Sequence, residues 1–454
     1  MQNVTVPDMM MAREARAQMQ RALLREYPGT AVVCLCMNIA GPVKTNGQIE
    51  RAFQWGIEAV RAVLKPYETL FDREIHEKTG PEAMLCVRAD ALEVKRRLCA
   101  LEDGEALGRL LDIDVIAPGG EKVSRTEIGL SPRRCLLCSN PAPVCARSRA
   151  HAVDALFARA MEIIDAHFDT AFARHIGEQA QRALLCEVAV TPKPGLVDRK
   201  NAGAHEDMDV FTFIDSACAL RHYFETCAGI GLAHRGGDEG ACFEALRVPG
   251  LLAEAEMARA TGGINTHKGA IFSLGVACAA LGMTQGQGAE AALLCCGRMT
   301  KARMMQEMDA AKKGNARTFG ESVLKSQNVG GIRKEAAEGF PGVRTCALPR
   351  LRACLAAGMS LNDAGLCALV ALMASTQDTN ALKRGGVDGA KAMQDRARAL
   401  DNRIEAALAD GSFCIESLLK EMEDWDGELS AQRISPGGCA DLLALAFLME
   451  FVEK

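Results

Sequence analysis

Two textures of hydrophobic patterning divide the chain. Up to about residue 170, short β-like runs at Ala31–Met37, 83–87 and 113–116 alternate with segments at 9–26, 47–64 and 90–102 whose apolar residues recur at helical spacing. Beyond that point strand signals nearly vanish. Ala/Leu/Met-rich segments punctuated by glycine dominate, at 251–260, 269–282, 287–308, 363–375, 387–409 and 437–452, as an all-helical core requires. The pattern predicts two domains, residues 1–172 of α+β class and residues 173–454 all-α. No Pro/Ser-rich linker parts them, and residues 151–190 read as helix, so the boundary is expected within or between two helices.

A chain of 454 residues exceeds one compact core, which agrees with two domains. Hydrophobic residues at 49% and charged residues at 24% are ordinary for a globular protein. The formal charge of −5 argues against general affinity for nucleic acid or an anionic membrane, so phosphate binding must rest on local basic sites. The first residues lack a basic stretch leading into an apolar one, and no window holds about 18 uninterrupted apolar residues. A cytosolic protein with no membrane partner is expected. The 19 cysteines, spread over apolar helical positions such as Cys218, Cys278, Cys295 and Cys367, then read as reduced core residues.

Candidate chemistry in the second half sits in turns beside helices. Residues 191–209 read TPKPGLVDRKNAGAHEDMD. Pro192 and Pro194 cannot continue the preceding helix, which leaves exposed backbone and the cations Lys193 and Arg199. Asp207 and Asp209 follow His205; in a turn both carboxylates can reach one hard cation such as Mg²⁺, and a solvated acidic loop would look the same. In TGGINTHKGAIFSLG (261–275), paired glycines end one helix and Asn265 or Thr266 can cap the next. His267 and Lys268 then stand at a positive helix end, either as an anion site or as a capped turn with an exposed histidine. Asp378-Thr379-Asn380 with Arg384, and Ser435-Pro436-Gly437-Gly438 with Asp441, repeat the design, with Ser435 as the expected cap and Pro436 in the first helical position.

Together TPKPGLVDR, GAHEDMD, ATGGINTHKGAIFSLG, EAAEGFPGVR, DTNALKRGG and SPGGCADLLA resemble the triphosphoribosyl-dephospho-CoA synthase family over about residues 175–454. The pattern departs at Lys334, where a small residue is expected. The resemblance implies that ATP loses adenine while its ribose C1 is captured by the 2′-hydroxyl of 3′-dephospho-CoA, through an oxocarbenium-like state. Assigned by residue type, Asp207, Asp209 and Asp378 serve as Mg²⁺ ligands or base and His205 or His267 moves protons. Lys193, Arg199, Lys268, Asn380 and Arg384 then hold the nucleotide.

In the first half, GRLLDIDVI sets Asp112 and Asp114 two apart in a β-like run, hence on one strand face, as paired metal ligands for nucleotidyl transfer or as an exposed strand face. Arg109, Arg125, Arg133, Arg134, Arg147 and Arg149 make this region locally basic, which suits a triphosphate and a coenzyme A phosphate. Cys135, Cys138, Cys145 and His151 are read as reduced core thiols beside a histidine, with a structural Zn²⁺ as the other reading of the spacing. MNIAGPVK, the Asp112-Ile113-Asp114 strand and RRCLLCSNPAPVCARSRAH resemble the holo-acyl-carrier-protein synthase of citrate lyase over roughly residues 10–170. That resemblance implies an α+β nucleotidyltransferase-like domain that attaches the other half's product to a serine of the apo acyl carrier subunit, releasing pyrophosphate. Lys44 becomes a phosphate or carrier contact. The alternatives are the equivalent malonate decarboxylase pathway and a nucleotide- or CoA-binding regulator without turnover.

Overall fold

The computed structural model describes residues 3–313 and 331–453, which separate into two compact units, Met1–Asp169 and Thr170–Lys454. In the first unit the elements run α1 (Val6–Glu26), β1 (Ala31–Met37), α2 (Gly47–Leu64), β2 (Glu68–Glu77), β3 (Gly80–Arg88), α3 (Ala91–Gly104), β4 (Leu111–Ile116) and α4 (Ala142–Ser148). The strands form one antiparallel sheet in the order β2-β3-β1-β4. β2 has no counterpart among the expected strands. It is an edge strand whose residues are all exposed or half-buried, so its sequence ETLFDREIHE carries no apolar run.

Alternation along the strands makes two apolar faces. Val33, Leu35, Leu85, Val87, Ile113 and Val115 pack on Phe53, Ile57 and Val60 of α2 and Val94 and Leu98 of α3. Val32, Cys34, Met84 and Cys86 meet Leu23 of α1 on the opposite side. β4 is the other edge, and side chains occupy its backbone groups: Glu102 accepts from Ile113 N at 3.1 Å, Lys95 donates to Ile113 O at 2.6 Å and Arg133 donates to Leu111 O at 2.6 Å. An edge satisfied in this way does not recruit a further strand.

The division between the units falls inside α5 (Val153–Ala189). The second unit continues with α6 (Val210–Ala233), α7 (Glu239–Ala245), α8 (Arg247–Ala260), α9 (Lys268–Met283), α10 (Gly288–Lys313), α11 (Gly331–Ala337), a π-helical turn Gly342–Ala347, α12 (Leu348–Ala356), α13 (Leu361–Ser375), α14 (Thr379–Asp410, kinked at Gly386), α15 (Ile415–Ala431) and α16 (Gly437–Phe451). α9, α13 and α16 are apolar almost all round and form its centre. None of the 19 cysteines is disulfide-bonded; Cys278, Cys295 and Cys367 are buried as expected, whereas Cys218 is exposed on α6.

α6 crosses α9 through small residues. A Cβ at Gly231 would stand 1.9 Å from the carbonyl oxygen of Ala279, so the two backbones touch where a side chain would hold them apart. Gly231→Ala should therefore lower the urea unfolding free energy by about 1–3 kcal/mol. Gly229→Ala, two residues along the same helix with open space around it, should raise it by about 0.5–1 kcal/mol. Equal shifts for the two variants would show that the seam is not close-packed.

Candidate functional site

A cavity of about 840 Å³ opens in the second unit, lined by segments far apart in sequence. Its first wall is the turn after α5. Asp198 accepts hydrogen bonds from Lys193 N (2.9 Å), Lys200 N (2.6 Å), Asn201 N (3.0 Å) and the Thr191 hydroxyl, so the turn winds around one carboxylate. This winding sends Lys193 inward. It is 1% exposed, and its Nζ donates to Glu187 O at 2.8 Å and to Glu187 Oε1 at 2.5 Å. Lys193, expected from the sequence to be a cation for phosphates, is half of a buried ion pair.

The opposite wall gathers helix N-termini. Asp378 caps α14, its Oδ1 accepting from Asn380 N (2.7 Å) and Ala381 N (3.0 Å), while its Oδ2 accepts from Cys439 N (2.8 Å) in the first turn of α16. One buried carboxylate thus ties two helix starts together and faces their positive ends. Asp441, on α16, accepts from Ala270 N at the start of α9. Gly269 is required there, because a Cβ would stand 1.9 Å from Asp441 Oδ2. Three helix starts therefore converge on the cavity.

The carboxyl groups among them share one electrostatic signature. Asp441 is pushed well above the usual carboxylate range, first by loss of hydration, then by Glu187 and Asp378; it keeps some surface toward the cavity but its protein surroundings dominate. Burial likewise raises Glu187 against the pull of Lys193, Asp378 against three amides, and Glu335 against the Gly342 amide. Carboxylates crowded in this way attract a proton or a cation.

The two histidines differ. His205 Nδ1 receives Arg384 Nη2 at 3.3 Å, and a guanidinium only donates, so its proton lies on Nε2, 3.0 Å from Ser435 Oγ. Burial, then Arg384, lowers its proton affinity. His267 is 2% exposed, its Nδ1 is 2.7 Å from Ser216 Oγ, its ring stands edge-on to Phe213, and its Nε2 has no partner. Burial, then Lys193, lowers its pKa to about 3, so it is neutral. At the starts of α9 and α16 the cap positions are held by His267 and Pro436, neither with a side-chain bond, while Asn265 Oδ1 accepts from Lys268 N at 3.3 Å, as the expected cap of α9 would. Ser435 is left to His205.

Of the residues singled out from sequence, Lys193, His205, Asp207, His267, Lys268, Asp378, Asn380 and Arg384 line the cavity. Asp209 and Arg199 do not. Asp209 caps α6, accepting from Thr212 N at 2.9 Å, and Arg199 reaches Asn362 at 3.0 Å. Lys268 already pairs with Glu254 at 2.6 Å. Asp207 is at the rim, 4.0 Å from His205 Nδ1. Glu187, Glu335 and Arg398 line the cavity without having been singled out, and Lys334 of α11 joins them. Glu187 lies within an apolar helical run, where only its charge among hydrophobic neighbours marks it, whereas Asp441, named with the turn before α16, lines the cavity as that turn suggested.

In the first unit Asp112 and Asp114 share one face of β4, opposite Cys36 and Cys34. Asp114 pairs with Lys122 at 2.5 Å. Asp112 keeps solvent-facing surface, yet the surrounding protein and then Asp114 push its carboxyl upward. Of the basic residues, Arg125 binds Glu102 at 3.2 Å and Asp103 at 2.5 Å, Arg133 binds Glu102, and Arg109 binds the Arg134 carbonyl. Lys44 Nζ donates to Ile39 O at 2.5 Å. Arg147 and Arg149 are exposed at the end of α4. Cys135, Cys138, Cys145 and His151 come together, all four ligand atoms within 4.8 Å of one another.

A family model for ATP:dephospho-CoA triphosphoribosyl transferase matches residues 173–454, and one for apo-citrate lyase phosphoribosyl-dephospho-CoA transferase matches residues 4–167. A Haemophilus influenzae protein named CitXG is 33% identical over 463 residues, covering 99% of this chain and 96% of that protein. One of the same name from Leuconostoc mesenteroides subsp. cremoris is 32% identical, covering 96% and 95%. A 2-(5''-triphosphoribosyl)-3'-dephosphocoenzyme-A synthase from Pectobacterium atrosepticum is 38% identical over 276 residues, covering 60% of this chain and 88% of its own length.

Acids whose proton affinity rises on folding favour the folded state when protonated. Their contribution is full below the ordinary values of 3.8 and 4.5 and is lost as pH rises through the raised ones. Neutral, buried His267 works the other way, its contribution growing as pH rises from about 3 through 6.5, so the carboxyl contribution is read as a difference: the urea midpoint of Asp441→Asn, followed by Trp425 fluorescence in a Trp55→Phe background, should gain on that of its parent as pH rises above the ordinary carboxylate range. Parallel pH profiles would contradict the crowding of carboxylates described above.

Proposed function

The chain belongs to the family that joins an apo-citrate lyase phosphoribosyl-dephospho-CoA transferase to an ATP:dephospho-CoA triphosphoribosyl transferase, and from that premise we propose how its residues divide the work. The synthase occupies residues 173–454 and makes 2′-(5″-triphosphoribosyl)-3′-dephospho-CoA from ATP and dephospho-CoA, releasing adenine. Residues 1–172, a nucleotidyltransferase-like domain, pass phosphoribosyl-dephospho-CoA to a serine of the apo acyl carrier subunit with loss of pyrophosphate. The observation that carries the synthase assignment is the 840 Å³ cavity in which carboxyls with raised proton affinity face helix starts and a ring of cations.

In the synthase, Arg384, Lys268, Lys334, Lys383 and Arg398 around the cavity suit a triphosphate. Asp441 has the proton affinity of a base for the attacking 2′-hydroxyl. Neutral His267 offers its unpartnered Nε2 as a hydrogen-bond partner for the departing adenine or the hydroxyl. Asp378 and Asp207 line the same cavity and are the residues that would hold Mg²⁺, which when bound would supply charge neutralisation to the triphosphate. Asp209 and Arg199 support the loop. A second cleft of about 410 Å³, lined by Tyr223, Phe243, Phe272 and Met304 and sharing Lys268 and Gly269 with the first, suits the apolar pantetheine arm.

In the transferase, Asp112 and Asp114 on one strand face, the first raised partly by the second, fit Mg²⁺ as well. Arg147 and Arg149 serve as the phosphate contacts. Arg109, bonded to the Arg134 carbonyl, positions the segment that carries those contacts, and Lys44, bonded to the Ile39 carbonyl, braces its own turn.

Separation of function tests both halves. With Mg-ATP and dephospho-CoA, Asp112→Asn/Asp114→Asn should release adenine at the unaltered rate, while the mass gain on apo carrier protein slows at least about 100-fold. Asp441→Asn should slow adenine release by about 100-fold or more yet still transfer the preformed product. Wild-type carrier labelling by the Asp112/Asp114 variant, or wild-type adenine release by the Asp441 variant, would overturn the corresponding assignment.

A further inference from the structure

The segment 129–152 of the first unit has almost no hydrophobic support. Cys145 is its only buried side chain, and its regular structure is α4 and one isolated bridge between Arg134 and Pro141. Such a segment cannot offset the entropy of ordering by burial alone. Something else must hold it.

Its geometry supplies a candidate. Cys135 N donates to Asn140 O at 2.8 Å and Ala142 N to Arg133 O at 2.8 Å, closing a tight loop around Cys135 and Cys138. Within that loop the amides of Leu137 and Cys138 also donate to the Cys135 sulfur. α4 then presents Cys145, and Arg149, in the left-handed conformation at φ 49°, reverses the chain so that His151 returns to the same point. Cys138 Sγ lies 3.5 Å from Cys145 Sγ and 3.3 Å from His151 Nε2. With metal bonds of about 2.3 Å to sulfur and 2.0–2.1 Å to nitrogen, tetrahedral Zn²⁺ ligands stand about 3.5–3.8 Å apart. The four ligand atoms, all within 4.8 Å of one another, are already close to that spacing.

We propose that Cys135, Cys138, Cys145 and His151 bind a structural Zn²⁺. Core packing does not account for the cluster, because Cys135, Cys138 and His151 are only half-buried. A disulfide would leave one thiol and the imidazole unused. Four protein ligands close the coordination sphere, so the ion is structural rather than catalytic. The knot also secures the edge of the Asp112/Asp114 strand, since Arg133 reaches Leu111 O and Arg109 holds the Arg134 carbonyl.

Metal analysis of the full-length protein, purified without chelator, should find about one zinc per chain. Cys138→Ser and His151→Ala should retain little of it, whereas Cys218→Ser, an exposed thiol in the other unit, should retain all. If either ligand variant fails to fold, the wild-type protein reconstituted with Co²⁺ still decides, through the visible absorption of a tetrahedral, thiolate-rich site. Stripping the metal should expose three further thiols to a titrating reagent and open residues 129–152 to protease. Metal-free protein that takes up neither Zn²⁺ nor Co²⁺, or zinc fully retained in folded Cys138→Ser, would overturn the proposal.

Discussion

The carboxylate of Asp378 is the constraint on which the larger unit's cavity depends. A helix start exposes amides that need acceptors, and here one side chain satisfies amides of both α14 and α16. The bond to Cys439 N fixes where α16 begins. That in turn sets Asp441 against the first turn of α9, in space that only Gly269 leaves open. Removing the Asp378 side chain would leave buried donors unpaired at the point where three helix starts meet, a cost of about 1–3 kcal/mol for each unsatisfied group.

The charges within the cavity are compensated unequally, and that inequality is its chemistry. Glu187 has Lys193 as a direct partner, and Asp378 has three amides. Asp441 has one amide and two carboxylate neighbours, so it is the group most in need of a proton or a cation. Selection for stability alone would favour a neutral residue there. In the smaller unit the same logic appears at lower density, with Asp112 unpaired beside an Asp114 that has Lys122.

Several features were legible in the sequence because they are local. Helical periodicity located α9, α13 and α16, and the alternation in Leu111–Ile116 put Asp112 and Asp114 on one face. The proline- and glycine-rich turns marked most of the cavity wall. β2 escaped notice because an exposed edge strand needs no apolar run. Glu187 and Glu335 escaped because an acidic residue in a helix is ordinarily solvated, and nothing local says that it faces inward.

What the sequence determined by itself was the class of each half, the family resemblance, and a set of turns carrying the right side chains, since caps, breaks and periodicity depend on neighbours a few residues apart. Tertiary structure alone decided which of those side chains share a site. It turned Lys193 inward to Glu187 and spent Asp209 on a cap. It joined His205 to Ser435 across 230 residues, and set Cys135, Cys138, Cys145 and His151 around a single point. The physical reason is that desolvation and pairing depend on which surfaces meet, and those surfaces come from segments that no local pattern connects.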